Sequence, residues 1–151
     1  MFRGTHYLTL DDKGRVPMPA KFRQSLIESC AGELIVVPSL VSRCLWIFPL
    51  PEWEKIEERV AKLSSFDANA EHLKSVLIGY ATDVTLDSHG RFLVQPEHRS
   101  YANLGKQVAL AGQGNRFALW EEAAWRAQWE DLQQNRINLS ALAGKLSELG
   151  L

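Results

Sequence analysis

The sequence predicts an α+β, β-rich fold made of two copies of one small unit, related by a pseudo-two-fold and flanked by helices. Three observations predict it. Thr9-Leu10-Asp11-Asp12-Lys13-Gly14-Arg15 recurs as Thr85-Leu86-Asp87-Ser88-His89-Gly90-Arg91, 76 residues on, with Thr, Leu, Asp, Gly and Arg coinciding. Eight residues past each motif Arg stands another, Arg23 and Arg99. Downstream, at an offset of 72, Leu45-Trp46-Ile47-Phe48 followed by Trp53 parallels Phe117-Ala118-Leu119-Trp120 followed by Trp125. Two copies are too few for a solenoid, so a paired unit is the natural reading.

The elements follow in one order in each copy: strand, turn, strand, short helix, strand, strand, helix. Tyr7-Leu8-Thr9-Leu10 and Asp83-Val84-Thr85-Leu86 have strand character. Asp at the first turn position accepts backbone N–H bonds, and Gly supplies a positive φ before the chain turns back, so each motif reads as a hairpin. Val16 and Met18, then Phe92 and Val94, alternate with period 2 after the turn. Pro19 and Pro96 suit the first turn of a helix, with Phe22 and Leu26 on one face of the first. Leu34-Ile35-Val36-Val37 and Val108-Ala109-Leu110-Ala111 read as buried strands. Gly112-Gln113-Gly114 reads as a hairpin turn, not a nucleotide loop.

Helical spacing appears between and after the copies. Trp53, Ile56, Val60 and Leu63 follow Pro51; Leu73, Val76, Leu77 and Tyr80 repeat the pattern. Trp125, Trp129 and Leu132 mark the helix closing the second copy, and Leu139, Leu142, Leu146 and Leu149 form a last stripe. The expected division is residues 1–64 for the first repeat and its closing helix and 65–80 for a connecting helix. Residues 81–135 form the second repeat and 136–151 a helical tail. No Pro/Gly/Ser-rich linker separates the copies, so one integrated body is expected.

Composition narrows the function classes. The chain has 151 residues, 46% hydrophobic and 23% charged, ordinary for a globular protein. No apolar run approaches the roughly 18 residues that span a bilayer, and Met1-Phe2-Arg3-Gly4-Thr5-His6 has no signal-peptide character, so a cytoplasmic protein without membrane partners is expected. Cys30 and Cys44 lack a CxxC spacing and read as buried thiols in a reducing compartment. The net charge of −1 argues against a uniformly basic binder, but the charge is polarised. Arg3, Lys13, Arg15, Lys21 and Arg23 face only Asp11 and Asp12 in the first 23 residues, whereas Glu121, Glu122, Glu130 and Asp131 face only Arg126 in the closing helix.

Little supports an enzyme. His6, His72, His89 and His98 sit in no HExxH or zinc spacing, and there is no GxGxxG or Walker loop. No metal, cofactor or small-molecule substrate is expected. The motif leaves two readings open. Asp11 with Arg15, and Asp87 with Arg91, can simply close a turn by an ion pair. Alternatively, Lys13 and Arg15, with His89 and Arg91 in the second copy, are presented to the DNA major groove, where Arg pairs bidentately with guanine or phosphate. Arg23 and Arg99 are open in the same way, as contacts or as a solvated helix face.

Met1-Phe2-Arg3-Gly4, then Leu10-Asp11-x-Lys13-Gly14-Arg15-Val16-x-x-Pro19-x-x-Phe22-Arg23, resembles the start of the MraZ family of bacterial transcriptional regulators. Leu45-Trp46-Ile47-Phe48-Pro49-Leu50-Pro51-Glu52-Trp53, the second Asp-x-x-Gly-Arg and Phe117-Ala118-Leu119-Trp120 extend the likeness over about residues 1 to 135. The resemblance implies an AbrB-like double-split, swapped-hairpin β-barrel. It implies binding of repeated double-stranded promoter DNA, repression of the protein's own operon in the division and cell-wall gene cluster, a nucleoid-associated location and a ring-shaped homo-oligomer. DNA contacts would fall to Arg3, Lys13, Arg15, His89 and Arg91, with Asp11, Gly14, Asp87 and Gly90 orienting them. His89 stands where a fixed cation would help, so Arg15 is expected to matter more than Arg91. Trp46 and the Leu139–Leu149 stripe are candidates for subunit contacts or for internal packing. The alternative class is a protein-interaction scaffold of the AbrB/antitoxin type.

Overall fold

The computed structural model describes all 151 residues. The first copy runs β1 (Thr5–Thr9), β2 (Arg15–Pro17), α1 (Ala20–Cys30), β3 (Glu33–Pro38), β4 (Leu45–Pro49) and α2 (Leu50–Ala61). After α3 (Ala68–Leu77), the second runs β5 (Thr82–Thr85), β6 (Arg91–Leu93), α4 (Pro96–Tyr101), β7 (Gln107–Gly112), β8 (Phe117–Glu121) and α5 (Glu122–Gln133), followed by α6 (Leu139–Glu148). Pro96 opens α4 as expected, and Pro19 stands just before α1.

The two copies exchange strands. Six strands form one sheet in the order β1-β7-β8-β4-β3-β5, and β2 pairs with β6 in a separate ribbon. The first strand of each copy thus bonds to the third strand of the other. The register obeys the repeat: Tyr7 faces Ala109, and their counterparts Asp83 and Ile35 face each other. At the axis Val16 faces Phe92, the residue 76 positions on. The hairpin expectation is corrected here. The strands flanking each motif do not pair with each other; the turn closes locally and its strands then leave for different sheets. The double-split, swapped topology is present, while the ladders stay open, with β1 and β5 as edges.

The main core fills the space between the inner sheet face and the ribbon. Leu34, Val36, Leu45, Ile47, Val108, Leu110, Phe117 and Leu119 meet Val16, Met18, Phe92 and Val94, with Phe22 and Leu26 from α1. Each such side chain contributes about 1.5–3 kcal/mol by leaving water. On the outer face Ile35, Val37 and Phe48 pack under Trp53 of α2. Because β3 is buried on both faces, it reads as an unbroken apolar run. Trp46, the possible subunit contact, lies under the Arg116 guanidinium, 4.1 Å from its ring centre. Cys30 and Cys44 are free thiols, and burial raises the Cys44 value.

Candidate nucleic-acid interface

Both motif turns are built by the same bonds. In the first, Asp11 Oδ1 accepts the backbone N–H groups of Lys13 and Arg15, each at 2.9 Å, and Oδ2 accepts Arg15 Nε at 2.7 Å. In the second, Asp87 Oδ1 accepts from His89 and Arg91 at 2.9 Å, and Oδ2 accepts Arg91 Nε at 3.0 Å. Gly14 and Gly90 hold φ of +86° and +74°, which lets their N–H groups bond back to the Asp carbonyls at 3.0 and 2.9 Å. The carboxylate therefore folds the turn and aims the guanidinium in one act. In Arg15 the bond to the carboxylate uses Nε alone, whereas in Arg91 Nη1 also approaches Asp11 and Nη2 lies near His89. The bonds from Arg15, its backbone N–H foremost, hold Asp11 at about 2 instead of 3.8, and the same cause lowers Asp87.

The turns are braced across the axis. Met18 N–H donates to Gly90 O, and Val94 N–H donates to Gly14 O, both at 2.8 Å. Arg23 lies against Gly90 and donates to the Met18 carbonyl, while Arg99 lies against Gly14. Arg23 and Arg99 are half-buried, not a solvated helix face, and each is a strut under the opposite copy's turn. Both turns consequently sit on one surface. Arg91 Nη1 comes within 4.0 Å of Asp11 Oδ2, so Asp11 faces both motif arginines.

Lys13 and His89 are exposed at the two tips. His89 Nδ1 lies 3.4 Å from Arg91 Nη2 and 3.3 Å from Ser88 Oγ. Arg3 is not brought to this surface. It lies beside Gly112 at the other end of β1, on the order of 25 Å of extended chain from Asp11. Lys106, absent from the motif alignment, is exposed beside the first turn, its carbonyl accepting from Leu10 N–H at 2.8 Å. The acidic helix α5 packs on β7 and β8, with Trp125 against the outward-facing Trp120, on the sheet face turned away from the ribbon. No group of three or more His, Cys, Asp or Glu is placed to hold a metal ion, and no helix is long and apolar enough to cross a membrane.

Fold and surface together define a class: a duplicated, strand-swapped β-protein that presents two Asp-anchored arginines at its axis. The family model described as "MraZ protein, putative antitoxin-like" matches residues 1–76 and again 77–144. The chain is 48% identical over 130 residues to the transcriptional regulator MraZ of Pseudomonas aeruginosa strain LESB58, covering 86% of each. It is 44% identical over 154 aligned positions to that of Halorhodospira halophila, covering 100% of each, and 42% identical over 152 to that of Methylococcus capsulatus, covering 95% of this chain and 99% of the other. The chain belongs to the MraZ family.

Proposed function

We propose that this chain is a sequence-specific regulator that binds repeated elements in promoter DNA through its two motif turns and represses its own operon in the division and cell-wall gene cluster. The observation that carries the reading is the placement of both turns at one axis. The ribbon between them is three residues long, which separates the turns by on the order of 10 Å. That separation suits a single major groove, about 12 Å wide, so one chain reads one groove with both turns. Arg15, Arg91 and Lys13 supply the cations, with Lys106 flanking them. A few contacts per chain bind weakly and with strong salt dependence. Assembly into a ring that displays several such surfaces links successive DNA repeats and raises avidity without new contacts. Footprinting on the DNA upstream of the protein's own gene tests this. Regularly spaced protection, lost in the Arg15→Ala/Arg91→Ala protein, is expected; protection unchanged in that variant refutes the turn mechanism.

A further inference from the structure

The first copy holds an aromatic cluster that the second lacks. The Phe22 ring meets Phe2 at 5.6 Å and Phe117 at 5.1 Å, both edge to face. The matching residues of the other copy are His98 and Ile78, 76 positions on from Phe22 and Phe2, and Leu45, 72 before Phe117. His98 thus stands at the core position of a phenyl ring and is 4% exposed. Its Nε2 lies 2.8 Å from the Tyr80 carbonyl oxygen, which can only accept, so Nε2 carries the proton. In that tautomer Nδ1 is an acceptor, and it is buried with no partner. Buried polar atoms are nearly always paired, so this one lacks a donor that something outside the chain can supply.

His98 forms part of the wall of a groove of about 670 Å³ between the end of α3, α4 and the loop that follows β3. That volume falls in the range of small-molecule sites. Leu40, Val76, Tyr80, Pro96 and Tyr101 supply much of the remaining wall. Tyr80 and Leu40 are 53% and 45% exposed, so packing does not lock either against an entering ring. The polar groups here are few and partly spent: the Tyr101 hydroxyl donates to the Ser39 carbonyl at 2.5 Å, and the Tyr80 carbonyl is taken by His98. Glu97 is the one acidic residue, and no lysine or arginine lines the groove. Carboxylates and phosphates are therefore disfavoured. What fits is a flat, apolar, uncharged body with one hydrogen-bond donor.

We propose that this groove binds a small aromatic molecule bearing a ring hydroxyl or ring N–H, of the phenol or indole kind, which donates to His98 Nδ1. Its ring restores to the second copy the aromatic packing that Phe2 and Phe117 give the first. The site lies apart from both motif turns and does not depend on the DNA-binding reading, although α4 also carries Arg99, the strut under the first turn.

The test uses the full chain labelled with 15N at histidine. Phenol and toluene, alike in size and differing in the donor, are titrated while the imidazole 15N signals are followed by NMR. Phenol is expected to bind saturably and about 5-fold more tightly than toluene, the value of one net hydrogen bond, and to move His98 Nδ1 upfield where toluene does not. His98→Phe, which carries the residue of the first copy, is expected to keep the wild-type far-UV circular dichroism and to bind the two probes equally by ligand-observed NMR. Leu40→Trp, which lays an indole across the mouth, is expected to weaken both. No saturable shift with phenol, equal wild-type affinities for phenol and toluene, or phenol binding unchanged in a folded His98→Phe protein each overturns the proposal. Should His98→Phe fail to fold, Leu40→Trp decides: undiminished phenol binding there places the probe elsewhere and overturns it.

Discussion

The strut geometry predicts how Gly90→Ala destabilises the protein and how that loss is relieved. Gly90 holds a left-handed φ of +74°, which costs an Ala about 1–2 kcal/mol. A Cβ there falls 2.5 Å from Arg23 Nε and 2.6 Å from its Cδ, so Arg23 must move. Moving it breaks the charged donor's bond to the Met18 carbonyl, which contributes about 1.5–3 kcal/mol. The total loss is therefore about 3 kcal/mol or more, a fall in Tm of about 6–12 °C for a chain of this size. In an Arg23→Ala background only the backbone strain remains, so Gly90→Ala there costs about 1–2 kcal/mol, a coupling of about 2 kcal/mol. The paired position is a built-in control. At Gly14 a Cβ meets Arg99 Cζ at 2.9 Å but also the Val94 carbonyl at 3.0 Å, which is strand backbone and stays when Arg99 is removed. Arg99→Ala is therefore expected to relieve Gly14→Ala by less than about 1 kcal/mol. Urea titrations followed by Trp fluorescence at one fixed protein concentration measure all four terms. Additive losses for Gly90→Ala and Arg23→Ala would refute the strut.

Arg15→Ala is expected to weaken DNA binding by about 1–3 kcal/mol and more than Arg91→Ala does, read by mobility shift; equal losses contradict the asymmetry. His89→Lys puts a fixed cation at the second tip and is expected to steepen the dependence of log affinity on log salt by about 1, while Arg3→Ala leaves that slope unchanged. Acid sensitivity should trace to the motif carboxylates. Because folding lowers the Asp11 value from 3.8 to about 2, its stabilisation is complete above about pH 4 and is lost as the pH falls towards 2. Denaturation midpoints between pH 5 and 2.5 should thus fall less in Asp11→Asn than in the wild type, and parallel falls would exclude Asp11 as the group that titrates.

Much of this was legible in the residues because the chemistry is local. Asp two and four residues before the N–H groups it accepts, with a Gly in between, specifies its turn with no knowledge of the rest of the chain. Partner choice was not legible. Period-2 alternation in Val16 and Met18 says which face is buried and nothing about which strand lies alongside, so an adjacent pair of strands reads as a hairpin even where each pairs elsewhere. Arg23 and Arg99 were hidden for a related reason: an arginine on a short helix looks the same in sequence whether it meets water or a glycine across an axis. Their shared distance from each motif was the available signal. Lys106 carried no signal, because it lies in a loop and its counterpart in the first copy is Gly32. Arg3 lies apart from the turns because β1 carries the chain from one end of the sheet to the other.

Fusing the two copies in one chain lets each position across the axis diverge, and where divergence is found is informative. The axis keeps one character in both copies: Val16 and Phe92 are both buried and apolar, and Gly14 and Gly90 make the same turn. An identical pair of chains would also have had identical tips and identical outer faces. Here the tips differ, Asp12-Lys13 against Ser88-His89, and the outer faces differ, one sealed by α3 and one left open beside α5. The first difference gives the surface that carries both turns a direction, with a lysine at one tip and a histidine at the other. The second gives the outer sheet face a direction as well. Polarity on both surfaces is something that two unfused, identical chains with a true two-fold could not build from the same parts.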